Sequence, residues 1–121
     1  METIDFQMKL MTDVPCAQQA KELLLIIDSA EAIKNSMPEM ADLYSRGDID
    51  SLLKIVLNTS AGTMDNVLLT QRNIDWAKQF DPIATKMPTL FAVGAAHLAG
   101  EEGVLSLLKQ KGYTVRAIKN D

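Results

Sequence analysis

A helix-rich α/β fold ending in a βαβ unit with parallel strands is the class this sequence predicts. Three observations lead there. Leu90-Phe91-Ala92-Val93 is a continuous apolar run of strand length, as expected of a strand buried on both faces. Gly100 to Lys111 reads as a helix, with Val104, Leu105, Leu107 and Leu108 on or near its apolar side and Gly112 placed to stop it. Tyr113 to Ile118 then returns as a strand. A strand, helix and strand at this spacing close as a right-handed parallel crossover.

The preceding elements read as helices. Residues 2–12 are ambiguous: Ile4, Met8 and Met11 fit a helical stripe, while Phe6 and Leu10 fall off it. Asp13-Val14-Pro15 breaks that segment. Gln18 to Lys34 follows three- and four-residue steps through Ala20, Leu23, Leu24, Ile27, Ala30 and Ile33. Pro38 fits the first turn of the next helix, with Ser36 as its cap, Met40, Leu43 and Tyr44 on one face, and Gly47 at its end. Asp48 or Asp50 can cap a segment striped by Ile49, Leu52, Leu53, Val56 and Leu57. A turn is expected over Asn58 to Gly62, then a longer helix from Met64 to Phe80, closed by Asp81-Pro82.

Two strands are a poor core for four or five helices. The chain is therefore expected either to pair its strands with another copy or to be the C-terminal part of a larger sheet. Its 121 residues suit one domain or part of one. Hydrophobic residues make up 47%, ample for a core, and aromatics only 5%, so that core should be aliphatic. The seven methionines, scattered at helical spacings, read as core. A net charge of −4 without a basic run argues against nucleic acid and against an anionic membrane surface. No apolar run reaches the length of a membrane span, and no signal-peptide pattern opens the chain. Cys16 is alone, cannot form an internal disulfide, and reads as packing.

Few residues carry chemistry. His97 is the single histidine and sits where the first strand should end, after Gly94-Ala95-Ala96. Open α/β sheets bind ligands at that end of their strands. The small residues leave room beside an imidazole that could bind a metal or move a proton. The plainer reading is a histidine hydrogen-bonded at a strand end. Glu101 and Glu102 are a candidate ligand or base, but they also suit the first turn of a helix, where they complement its dipole. Leu68, Arg72 and Trp76 share a helix face, so Arg72 either pairs with an anion or snorkels to solvent. Asn73 beside it could cap or bridge. By composition alone Glu2 is an exposed N-terminal residue. Phosphate loops, CxxC pairs and serine elbows are absent.

Together these residues resemble the TraB/PrgY/GumN/TIKI family. The block from Val93 through Gly94-Ala95-Ala96-His97, Gly100-Glu101-Glu102-Gly103 and Leu108 to Gly112-Tyr113-Thr114-Val115 is similar to its C-terminal signature, and Gly94–His97 matches its second GxxH motif. Glu2-Thr3 with Gln7 is similar to its Glu-Thr segment. Tyr44 with Gly47-Asp48 matches a mid-region helix junction, and Arg72-Asn73 with Trp76 an Arg-Asn-x-x-Trp stretch. The resemblance implies a metal-dependent hydrolase of peptide or protein substrates, with Mn, Co or Zn as the cofactor. It makes His97 a metal ligand, Glu2 a second ligand or general base, and Arg72 a group that orients a carboxylate or stabilises negative charge; Asn73 and Gly94 would position substrate. The first GxxH motif is missing, which implies that residues 1–121 are the C-terminal part of a single domain, inactive alone. A non-catalytic module that sequesters peptides is the alternative. Exposed strand edges would invite self-association. Family habit suggests an exported or surface-associated bacterial protein.

Overall fold

The computed structural model describes residues 2–59 and 69–118, and among these the regular structure is all helical. The helices are α1 (Ile4–Thr12), α2 (Cys16–Asp28), α3 (Ala30–Arg46), α4 (Ile49–Thr59), α5 (Gln71–Ala84) and α6 (Val104–Gln110). A 3₁₀ turn, Ala95–His97, lies between the last two.

No strand is present among the described residues, so the expected α/β class and its βαβ unit are not borne out. The side chains of Leu90–Val93 do alternate. Phe91 and Val93 pack on the core, while Leu90 is 90% exposed and Ala92 also faces outward. The run is thus covered on one face rather than both. Tyr113 and Val115 are half-buried in the same way, and Ile118 is exposed. A strand also needs a neighbouring backbone to complete its ladder, and neither run is paired with one. The strand edges expected to drive self-association are therefore absent from the described residues.

Several helix boundaries move for local reasons. Thr3 caps α1, its Oγ1 accepting the Phe6 N–H at 3.2 Å. The expected break after Lys34 falls instead at Ser29, whose N–H and hydroxyl both donate to the Leu25 carbonyl. Pro38 consequently lies inside α3 rather than in a first turn, and the Lys34 carbonyl loses its i+4 donor. Ser36 donates to Ile33 O at 2.8 Å and does not act as a cap. Pro82 likewise lies within α5, which runs on to Ala84. Gly47 (φ 71°) ends α3, and Asp48 Oδ1 accepts the Ser51 N–H at 3.1 Å, both as expected. The expected turn lies outside the described residues from position 60 on, as do residues 64–68 of the expected longer helix.

Helix α6 starts later than Gly100. A Cβ on Gly103 would lie 2.1 Å from the Ala99 carbonyl oxygen, so the chain makes a tight turn there before the helix begins. Glu101 and Glu102 stand in that turn, not in the first turn of α6. At the other end Gly112 (φ 90°) follows the helix, and Tyr113 N–H reaches back to Leu108 O at 3.0 Å.

The core lies between α5, α6 and the 88–98 segment. Trp76, Phe80 and Val104 are buried, with Phe91, Val93, Leu98 and Leu108 packed on them. The Phe80 and Phe91 rings stack at 4.0 Å. Leu43 and Leu52 are buried where α3 packs on α4, which also contacts the 3₁₀ turn. Much apolar surface stays outside. The chain exposes 9004 Å², against about 6,500 Å² for a compact monomer of this length. Met8, Met37 and Met87 are more than half exposed and Cys16 is exposed, contrary to their reading as core or packing residues.

Candidate functional site

Helix α5 presents Arg72, Asn73 and Trp76 within two turns of helix, anchored from below by the buried Trp76, Ala77 and Phe80. Glu2 immediately precedes the capping Thr3, so the start of α1 fixes where its carboxylate enters. Arg72 holds that carboxylate in a two-point grip, Nε donating to Oε1 at 2.8 Å and Nη2 to Oε2 at 2.9 Å. Trp76 Nε1 donates to Oε1 at 2.8 Å, and Gln7 Nε2 lies 3.4 Å from Oε2. The guanidinium also sits 4.8 Å from the Trp76 ring centre. The Arg72 and Glu2 side chains are only 19% and 10% exposed. The Arg72 hydrogen bonds hold the Glu2 carboxyl below its usual range, against the opposing effect of burial.

His97 closes the 3₁₀ turn, its N–H bonded to Gly94 O at 3.0 Å. Its ring lies 4.6 Å from that of Trp76. Nδ1 is 2.7 Å from Asn73 Oδ1, and Asn73 Nδ2 donates to the Glu102 carbonyl at 2.9 Å. Burial, reinforced by the Arg72 charge and partly offset by Glu2, pushes the imidazole below its ordinary value. A Cβ on Gly94 would sit 3.6 Å from His97 Cδ2, an ordinary contact, so the imidazole itself does not require glycine there.

Glu2, Arg72, Trp76, Gly94 and His97 line one cleft. The residues singled out at positions 2, 72, 94 and 97 therefore converge, and Asn73 joins them through its contact with His97. Glu101 and Glu102 do not line this cleft; the Glu102 carboxylate accepts from Thr70 at 2.9 Å. Three participants carried no assigned role in the sequence: Gln7, Trp76 and the Glu102 carbonyl. Trp76 as a donor to Glu2 had a signal, since it stands one helical turn from Arg72. The Glu102 carbonyl is backbone and had none.

The donors present do not complete a metal centre. Among the described residues no three His, Cys, Asp or Glu side chains gather where an ion could sit. Both Glu2 oxygens already accept from Arg72 and Trp76, and the whole chain has one histidine. Catalytic zinc sites use three protein ligands.

The model of the TraB/PrgY/gumN family matches residues 1–117. The chain belongs to that family. No curated protein and no solved structure matches it. The match takes in both ends of the cleft, Glu2 and His97. Among the described residues no helix is long and apolar enough to cross a membrane.

Proposed function

We propose that the cleft is one side of a peptide-hydrolysing site, and that this chain alone does not cleave peptides. The convergence in one cleft of Glu2, Arg72 and His97, from opposite ends of the chain, carries the reading. An imidazole held neutral by burial can take a proton from an attacking water. Arg72 and Trp76 direct their N–H groups at Glu2 and fix its negative charge in the same cleft as the imidazole. Glu2, ionised and gripped, suits holding Arg72 and Trp76 in place better than abstracting a proton. A divalent ion, Mn²⁺, Co²⁺ or Zn²⁺, would supply Lewis acidity, but it needs donors beyond those this chain brings together.

The saturated Glu2 carboxylate also favours a second reading, a module that binds peptide without cutting it. The test has two parts. Calorimetric titration of the three metals into the chain, with His97→Ala as control, is expected to show no tight binding. A stoichiometry of one ion per two chains would instead mean that a second copy completes the site. Peptide mixtures are then incubated with the chain, alone and with a polypeptide supplying the family's first GxxH motif, and read by mass spectrometry. Cleavage only in the mixture, lost in His97→Ala, supports the hydrolase. Peptide binding without cleavage supports sequestration. Cleavage that survives His97→Ala would sink the assignment.

A further inference from the structure

The two ring nitrogens of His97 face different neighbours, and the amide of Asn73 decides which one carries the proton. Asn73 and His97 are 3% and 9% exposed, so water competes little for either group. The Asn73 Nδ2 donates to Glu102 O at 2.9 Å, which turns Oδ1 toward His97 Nδ1 at 2.7 Å. Flipping the amide would set Oδ1 against the Glu102 carbonyl, two acceptors at hydrogen-bond distance with no hydrogen between them. The backbone at Glu102 therefore fixes the orientation of the amide. A carbonyl oxygen only accepts, so Nδ1 must donate. On the opposite ring edge Cδ2, bonded to Nε2, lies toward Gly94, and both residues line the cleft.

We propose that Asn73 is a positioning residue that holds the His97 proton on Nδ1 and presents Nε2 to the cleft as a bare lone pair. Its meaning for catalysis rests on the hydrolytic reading above; the tautomer itself does not. The tight turn at Ala99–Gly103 becomes part of the same device, because it places the carbonyl that orients Asn73. A histidine free in water prefers the reverse form, with the proton on Nε2, so the site inverts the intrinsic preference.

One histidine in the chain makes the imidazole signals unambiguous. Long-range ¹H–¹⁵N correlation spectra of the ¹⁵N-labelled chain, recorded where the imidazole is neutral, report the tautomer directly. The wild-type chain is expected to show the Nδ1–H form in about tenfold excess, the ratio one net buried hydrogen bond supports. Asn73→Leu should return the ratio to the Nε2–H preference. A predominant Nε2–H form in wild type would overturn the proposal, and that measurement needs no variant to fold. An unchanged ratio in folded Asn73→Leu, checked by circular dichroism, would overturn it equally. An Nδ1–H tautomer with no cleavage in any mixture would remove the hydrolase and leave the positioning intact; the reverse tautomer with cleavage would do the opposite.

Discussion

Helix α2 carries Leu23-Leu24-Leu25-Ile26-Ile27, and each of these is 45–61% exposed. Helix α5 carries Arg72, Asn73, Asp75, Lys78 and Gln79, yet buries Asn73, Trp76, Ala77 and Phe80. Apolar content alone would rank them the other way. What separates them is company. Helix α5 meets α6, the 88–98 segment and the Glu2 carboxylate, and its polar side chains find partners from distant parts of the sequence. Helix α2 has a few contacts with α3 and no buried residue. Polar groups are buried here because they are mutually satisfied; apolar ones stay exposed where nothing covers them.

Substitution tests that contrast directly. Trp76→Ala removes the centre of the core and the Glu2 donor together, and should cost about 3–5 kcal/mol, read as a lower urea midpoint. Arg72→Met leaves Glu2 partly buried and unpaired. The full penalty for a stranded buried charge is about 3–5 kcal/mol, but a residue so near the N-terminus can swing toward water, so about 2–3 kcal/mol is expected. The double variant Arg72→Met, Glu2→Gln should recover part of that loss, since the stranded charge is gone. Full additivity in the cycle would mean the pair does not form in solution.

Acidification should weaken the α5 region and spare α2. Glu2 has a depressed folded value, so its contribution is complete above the ordinary carboxylate range and is lost as pH falls through the folded value. His97 is also depressed. Below about pH 6.5 the unfolded chain takes up a proton that the folded chain still refuses, so stability declines there too. Both groups act with the same sign. Melting temperatures measured against pH should fall from neutral toward acid. His97→Gln should flatten the upper part of that slope and Glu2→Gln the lower part. A slope unchanged by both would place the titration elsewhere.

The smallest effect is expected in α2. Leu24→Gln should shift stability by no more than about 0.5 kcal/mol, because the side chain is already mostly in water. A loss comparable to Trp76→Ala would show that α2 is covered in solution and would erase the contrast between the helices.

The candidate site was more legible than the fold. Arg72, Asn73, Gly94 and His97 could be singled out from the sequence itself, whereas Glu2 entered only through the family resemblance; neither needs knowledge of the distances. Their mutual geometry was not readable. The grip on Glu2 joins residues 70 and 74 positions apart, and the anchor for Asn73 is a backbone carbonyl. The strands failed for a related reason. The apolar run Leu90–Val93 has the alternation of a strand, but a ladder depends on a second backbone that no local pattern supplies.

By itself the sequence determined what rests on one residue and its near neighbours: the stops at Gly47 and Gly112, the cap at Asp48, the break before Cys16, and the family to which the chain belongs. Only the tertiary structure decided which apolar stripes are covered, where α2 gives way to α3, and that the carboxylate of Glu2 meets Arg72 and Trp76. Caps and left-handed glycines are set by sterics and hydrogen bonds within a few residues. Burial and charge pairing depend on which surfaces meet, and that is a property of the whole chain.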